Sequence, residues 1–389
     1  MARKHLLGFL GFLMFILWAG QPGQTQSTPE TPLKKKKCGD LWPVQQNDKW
    51  GYIDRNGQLT IPFQFDDASG FSEGLAAVTL KEKTGYIDAT GKLVIPAKFD
   101  AGNPFSEGLA VAIISHEGAK RPSWEYGYID KSGKMVIPPR KAESPKWLSF
   151  YAKTLAFSEG LAGAQLGSPK QGKMGFIDQA GRQIIPPRYD HVESFSEGLA
   201  VVAVGEKYGF IDRSGKSVIP PRFSHAGPFS EGLAPVGIDL AENKWGYVDK
   251  SGKLVIQIEQ QVAPRGFSEG LAAAQGKDEK FGFIDKTGKF VIPARFRRVG
   301  NFSEGLAAVQ LAEAGWPGNL AYINQKGEVV IKSMSTFPGN PEKVEFDLHN
   351  YRFCGGVAGV SLGKKEDEDA AGYINREGKL LWPAAAPAK

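Results

Sequence analysis

Residues 71–99 read FSEGLAAVTLKEKTGYIDATGKLVIPAKF, three short apolar runs separated by turn-forming residues. Short runs bounded in this way are typical of β-strands. Asp88 and Gly91 suit a type I turn with a glycine bulge, because the Asp side chain accepts bonds from the following backbone and Gly takes positive φ. Pro96 cannot donate to a ladder, so it should end the third strand or lie at an edge. The stretch predicts a three-stranded antiparallel meander.

The same pattern recurs along the chain, and this repetition decides the fold class. One block, Gly-aromatic-Ile/Val-Asp, begins at Gly51, Gly85, Gly127, Gly175, Gly209, Gly246 and Gly282, with degraded copies at Ala321 and Gly372. A second block, Phe-Ser-Glu-Gly-Leu-Ala, begins at Phe71, Phe105, Phe157, Phe195, Phe229, Phe267 and Phe302, with a weak copy at Phe353. We number the repeats 1 to 9 after the copies of the first block. Three short strands cannot bury a core alone, so neighbouring repeats must stack.

The segments Lys49-Trp50-Gly51 and Lys244-Trp245-Gly246 resemble the WG (or KWG) β-repeat family of bacterial proteins, and the similarity extends over about residues 38–385. The resemblance implies a β-repeat scaffold without a shared activity. We therefore expect an all-β tandem array of nine three-stranded antiparallel units. The array would form a closed, propeller-like ring or a tightly curved superhelix, and the alternative is an open β-solenoid. Nine units exceed the usual range of about 4–8 propeller blades.

The N-terminus predicts export. A basic start (Arg3, Lys4) precedes the apolar run Leu6–Trp18, which is too short to span a bilayer comfortably. We expect a signal peptide at residues 1–20, a disordered Pro/Thr/Lys-rich tether at 21–37 and the repeat domain at 38–389. The protein would be periplasmic, extracellular or at the cell surface. An uncleaved segment that anchors it to the membrane is the alternative.

The charge distribution argues against nucleic-acid binding. The chain has 389 residues and a net charge of +6, and residues 1–37 contain six Lys or Arg against one Glu. The repeats themselves are therefore nearly neutral, whereas a nucleic-acid binder needs a concentrated basic face.

The spacing of the two blocks separates a constant part from a variable part. The interval from the Gly block to the next Phe block is 20 residues in five repeats, whereas the opposite interval ranges from 14 to 22. The insertions carry the candidate binding residues Trp124, Tyr126, Trp147, Phe150, Tyr151 and Trp316. Exposed aromatics can stack on sugar rings or anchor a protein partner. The alternative is that they pack on their own repeats.

Recurring polar residues form columns in a stacked array. Glu73 and Arg188 represent an acidic and a basic column, for which we expect a role in pairing or in turns. His191 and His225 occupy equivalent places, but no further ligand accompanies them, so no metal site and no cofactor are expected. A catalytic motif is absent from the sequence. We expect no enzyme but a binding scaffold of the cell envelope or outside it, which engages a polysaccharide or protein. A purely structural spacer is the alternative, and a hydrolase lacks a residue to support it.

The two cysteines occupy matched places. Cys38 and Cys354 align with the Ser of the Phe-Ser-Glu-Gly block in the first and last copies. In an exported protein two cysteines usually pair, so a disulfide that joins the two ends of the array is a candidate. Two free thiols in an open solenoid are the alternative.

Overall fold

The computed structural model describes residues 39–116, 123–142, 156–165, 172–312, 320–332, 352–365 and 368–382. Regular secondary structure in these ranges consists of β-strands. No helix among the described residues is long and apolar enough to cross a membrane. The chain divides into two compact units, one within residues 39–52 and 59–222 and the other within 53–58 and 223–382.

The described strands follow one another in short antiparallel pairs. Those of repeats 1 to 4 are β1 (Trp42–Gln46), β2 (Lys49–Ile53), β3 (Leu59–Phe65), β4 (Asp67–Ala68), β5 (Ala76–Leu80), β6 (Lys83–Ile87), β7 (Leu93–Phe99), β8 (Ala101–Gly102), β9 (Leu109–His116), β10 (Ser123–Asp130), β11 (Met135–Ala142), β12 (Leu161–Gln165), β13 (Met174–Asp178) and β14 (Gln183–Tyr189). Those of repeats 5 to 9 are β15 (His191–Val192), β16 (Leu199–Val204), β17 (Lys207–Asp212), β18 (Ser217–Phe223), β19 (His225–Ala226), β20 (Leu233–Asp239), β21 (Lys244–Asp249), β22 (Leu254–Glu259), β23 (Ala272–Gln275), β24 (Phe281–Ile284), β25 (Phe290–Val299), β26 (Leu306–Leu311), β27 (Leu320–Asn324), β28 (Val329–Ile331), β29 (Val357–Lys365), β30 (Glu368–Asn375) and β31 (Leu380–Trp382).

Repeat 2 shows how the sequence produces the meander. Strands β4, β5, β6 and β7 lie in that order, so β7 and its Pro96 are at the edge, as expected. Asp88 and Gly91 form the predicted turn: the Gly91 N–H donates to the Asp88 carbonyl at 3.0 Å, and Gly91 has a φ of +84°. The Asp88 carboxylate also accepts the N–H of Thr90 and of Lys92. The Asp column is therefore a column of turn residues.

The expectation of nine separate units is wrong in one respect, because the described strands form eight sheets. Strands β23 to β28, from repeats 7 and 8, share one six-stranded sheet. In repeat 2, Asp100 interrupts the strand, and its carboxylate accepts the Ser115 N–H of repeat 3. Repeat 7 has Arg297 at this place, and Arg has no acceptor for that bond. Strand β25 continues through Arg297 to Val299 and pairs with β26.

The core lies between consecutive repeats, as stacking requires. One cluster joins Tyr86 and Ile95 of repeat 2 to Phe105, Ala112 and Ile129 of repeat 3. The Tyr86 and Phe105 rings meet edge to face at 5.0 Å. Burial of one such side chain contributes about 1.5–3 kcal/mol, and each repeat depends on its neighbour for it. The tandem all-β array is confirmed, whereas the choice between ring, superhelix and open solenoid stays a prediction.

Candidate functional site

The Phe-Ser-Glu-Gly block joins consecutive repeats within each compact unit. In repeat 2 the Ser72 hydroxyl donates to the Phe105 carbonyl of repeat 3 at 2.7 Å, and Ser268 of repeat 7 does the same to Phe302 of repeat 8 at 2.8 Å. Each serine also lies in a two-residue hairpin closed by its bridge to the Leu three residues later. The repeated hydroxyl is thus occupied by a structural hydrogen bond to the following repeat.

The repeated glutamate forms the second part of the joint. The Glu107 carboxylate accepts the N–H of Glu159 and of Gly160, both at 2.7 Å, and Glu73 accepts the N–H of Glu107 and of Gly108 in the same way. Glu107 has a φ of +53°. A left-handed backbone costs a residue with a side chain about 1–2 kcal/mol. Two charge-assisted hydrogen bonds offset that cost.

The basic column supports the turn of the following repeat. The guanidinium groups of Arg188 and Arg295 donate to the carbonyls of Gly215 and Gly327 at 2.5 and 2.7 Å. The same turn glycine packs against an isoleucine of the preceding repeat, as Gly215 does against Ile185. The expected turn-supporting role of the charged columns is confirmed.

The histidines belong to aromatic contacts. The His191 ring lies 6.2 Å from that of Tyr208, and the His225 ring lies 5.6 Å from that of Trp245. Within the described ranges, no three His, Cys, Asp or Glu side chains are grouped so as to hold a metal ion.

The two insertions of repeat 3 leave the same end of one sheet. Strands β9, β10 and β11 are each eight residues long, and they extend the sheet at the start of β10. There Ser123 pairs with His116 across residues 117–122, and Trp124 pairs with Ala142, which precedes the second insertion. Segments 117–122 and 143–155 therefore begin on adjacent strands.

Repeat 8 has the same arrangement. Leu320, at the start of β27, pairs with Gln310 across residues 313–319. Strand β28 runs back beside β27, with Ile331 opposite Tyr322, and leads to residues 333–350. In repeats 3 and 8 alike, two insertions start from the two sides of the repeat's central strand.

The described aromatic candidates pack on their own repeat. Tyr126 lies on β10 and is 0% exposed, its ring 6.5 Å from that of Tyr128. Burial raises the pKa of the Tyr126 hydroxyl to about 12. Tyr126 is therefore a core residue and presents no surface to a partner. Trp124 packs against the hydrophobic cluster that contains Tyr126, but it is only half-buried. It is therefore partly exposed near the points where both insertions begin.

The other candidates lie outside the described residues, namely Trp147, Phe150, Tyr151, Trp316 and Cys38. Cys354 occupies the serine place of the last block and forms the same bridge, to Val357. A bond between Cys38 and Cys354 stays a prediction.

Sequence reasoning missed a second bond that ties repeats together. Lys83 forms an ion pair with Asp100, and Lys173 forms the equivalent pair with Asp190. The second carboxylate oxygen caps the next hairpin, since Asp190 accepts the Gly205 N–H at 2.8 Å. The signal was a constant separation of 17 residues between Lys and Asp.

Solved structures resemble the chain in fold alone. A crystal structure described as the eukaryotic initiation factor matches with a TM-score of 0.57 and 11% identity, over 88% of this chain and 95% of that one. KlHsv2 with loop 6CD replaced by a Gly-Ser linker matches at 0.38 and 9%, over 78% and 89%. The Pyrococcus horikoshii acylaminoacyl peptidase matches at 0.34 and 11%, over 87% and 58%. The last two scores are too low to support an argument. A search of curated proteins gave no match.

A family model decides the relationship. The model for the WG containing repeat matches seven times, at residues 50–83, 85–114, 126–140, 174–208, 208–239, 245–281 and 281–313. These matches cover more than half of the chain, and each begins at the repeat glycine or at the residue before it. The chain therefore belongs to the family of proteins built from the WG containing repeat.

Proposed function

We propose that this protein is a non-enzymatic binding scaffold of the cell envelope or the extracellular space. It engages a polysaccharide or a protein partner through the insertions of repeats 3 and 8. The observation that supports the proposal most is that both insertions of repeat 3 begin at strand residues that pair with the start of β10.

The polar residues that recur in the constant part of the repeats form structural hydrogen bonds. Ser72, Glu107 and Arg188 each form a hydrogen bond to the neighbouring repeat. A serine, glutamate or arginine that occurred only once could suggest a catalytic or binding role. Here the hydrogen bonds between repeats explain why these residues recur. What differs between repeats is the insertions, and variable loops on a rigid scaffold are the usual place of recognition.

The insertions carry residues suited to recognition. The second insertion of repeat 3 contains Trp147, Phe150 and Tyr151, and Trp124 lies on β10 between the starting points of the two insertions. Trp and Tyr combine a large apolar surface with a polar atom, and this suits both sugar rings and protein surfaces.

The test uses the full chain on a glycan array and in co-purification from the envelope fraction of its source. The first variant combines Trp147→Ala, Phe150→Ala and Tyr151→Ala, and the second is Trp316→Ala. Loss of an anchoring aromatic costs about 2 kcal/mol or more, so we expect affinity to fall at least about 30-fold. Phe290→Ala is the matched control, since Phe290 is 38% exposed on β25 outside any insertion.

Three outcomes separate the alternatives. Weakened binding in the insertion variants with an unchanged Phe290→Ala variant supports the proposal. Unchanged binding in all variants refutes the role of the insertions. If the wild-type chain retains no glycan and no protein, the purely structural spacer is favoured instead.

A further inference from the structure

The third strand of most repeats is protected against strand addition. Proline follows the buried isoleucine at Pro62, Pro96, Pro138, Pro186, Pro220 and Pro293. Proline has no N–H to donate, and natural sheets use it to protect edges. In repeat 2 it also coincides with a slip in register, since Thr84 pairs with Phe99 but Tyr86 pairs with Ile95.

Repeat 6 lacks this protection. Gln257 replaces the proline on β22, which is the outer strand of the sheet β19-β20-β21-β22. The ladder runs without a slip from Lys244 opposite Glu259 to Tyr247 opposite Ile256. The one irregularity lies after Tyr247, at the place where repeat 2 also has one. Strand β22 is thus an edge strand with a regular ladder from Ile256 to Glu259, and each of these residues has a backbone N–H.

The same strand exposes aliphatic surface. Leu254 is 39% exposed and Val255 is 45% exposed, while Ile256 is buried in the core below. Lys253 and Glu259, at the two ends of the strand, are both exposed. An exposed apolar edge strand without proline is a template for another strand.

We propose that β22 is a self-association site, where it pairs antiparallel with β22 of a second copy of this chain. Antiparallel pairing brings the start of each strand beside the end of the other. Lys253 of each copy then lies beside Glu259 of the other copy, which gives two symmetric pairs of opposite charge. Parallel pairing would place like charges together. A two-fold interface uses the same surface of both copies, and the charge order along β22 is complementary to itself.

The test measures the mass of the full chain by sedimentation equilibrium across the micromolar range. We expect a dimer for the wild-type chain. Lys253→Glu places two carboxylates side by side at both ends and should raise the dissociation constant about tenfold or more, since like charges across a ladder are destabilising. Gln257→Pro, which installs the residue found in six of the other repeats, should give a monomer.

The decisive experiment mixes two variants. Lys253→Glu and Glu259→Lys should each be monomeric alone, because each creates two like-charged pairs with itself. Mixed in equal amounts they should form a heterodimer, and this would also show that both are folded. The matched control is Lys92→Glu in repeat 2, because Lys92 follows the equivalent turn and likewise lies near its aspartate. Lys92→Glu should remain dimeric.

The proposal is independent of the ligand proposed above. A wild-type chain that stays monomeric overturns it, and so does a dimer that Lys253→Glu and Gln257→Pro leave unchanged. A mixture that fails to form the heterodimer overturns the antiparallel arrangement.

Discussion

The turn of repeat 1 packs on repeat 9, and its glycine offers a precise test. An ideal Cβ on Gly57 would lie 2.4 Å from the carbonyl oxygen of Leu381 on β31. In the other repeats the same glycine meets the preceding repeat, as Gly91 meets Ile61. In repeat 1, Leu381 of repeat 9 takes that place. Gly57→Ala should therefore disturb β31, which is more than 300 residues away in the sequence.

The expected magnitude follows from two terms. Gly57 has a φ of +81°, and a side chain there costs about 1–2 kcal/mol of backbone strain. The 2.4 Å approach is about 1 Å inside ordinary contact. Relieving such an overlap adds about 1–3 kcal/mol. The backbone of Leu381 must move, because a carbonyl oxygen, unlike a side chain, cannot relieve the overlap by changing rotamer.

Gly74 provides the matched control. Its φ is +89°, but nothing lies within 4 Å of an ideal Cβ there. Gly74→Ala should thus show the strain term alone, and the difference between the two variants isolates the contact with Leu381.

The assay combines denaturant unfolding with amide hydrogen exchange. Exchange at Leu380–Trp382 should accelerate in Gly57→Ala and stay at the wild-type rate in Gly74→Ala, since local opening is what exchange reports. Equal destabilisation by the two variants, with β31 unaffected, would refute the reasoning.

Three further predictions concern the joints and the turns. Glu107→Ala should destabilise the protein by about 1.5–3 kcal/mol through the loss of two charge-assisted bonds, and Glu107→Gly by about 1 kcal/mol less because it removes the backbone strain. If thermal unfolding shows that Glu107→Gly is less stable than Glu107→Ala, backbone strain at residue 107 does not contribute as expected. The hydrogen bond from Thr90 lowers the pKa of Asp88, so its stabilisation is complete above the unfolded pKa of about 3.9 and disappears as the pH falls through the folded value. Asp88→Asn, the natural choice at Asn324, should reduce the loss of stability between pH 5 and pH 2, roughly the acid range in which carboxylates titrate, and an unchanged acid profile would contradict this. Non-reducing peptide mapping of the full chain should find Cys38 bonded to Cys354, and two free thiols would exclude the bond.

The sequence predicts the repeat well because the repeat is local. The Asp88 turn, the three-stranded meander and the edge position of Pro96 each depend on residues within one copy. Repetition also indicated that the charged columns serve turns. The partners of Glu107 could not be derived, because nothing in one copy says which turn of its neighbour it reaches. The continuous strand at Arg297 could not be derived either, because the pairing of β25 with β26 joins two repeats.

The candidate site was predicted less completely. The insertions were located by spacing, but the meeting of the strands from which they begin, at the start of β10, depends on strand order in space. Tyr126 was assigned to a binding loop because the interval before Gly127 is long. Tyr126 instead directly precedes the repeat glycine, a place in the central strand that is also buried at Thr84 and Met174. Aromatic composition alone does not distinguish a strand that lengthens from a loop that grows.

The joint built from serine and glutamate has a consequence for how such chains can arise. Copies with the Phe-Ser-Glu-Gly block donate and accept through the same few positions, so each of these copies presents the surface that the others require. Unequal recombination between two copies of the coding sequence would therefore create a junction with all its hydrogen bonds already in place. Insertions acquired by one copy would travel with it, since they begin beyond the bonded part of the strands. The gene can thus change length and exchange recognition segments without redesigning an interface at each step.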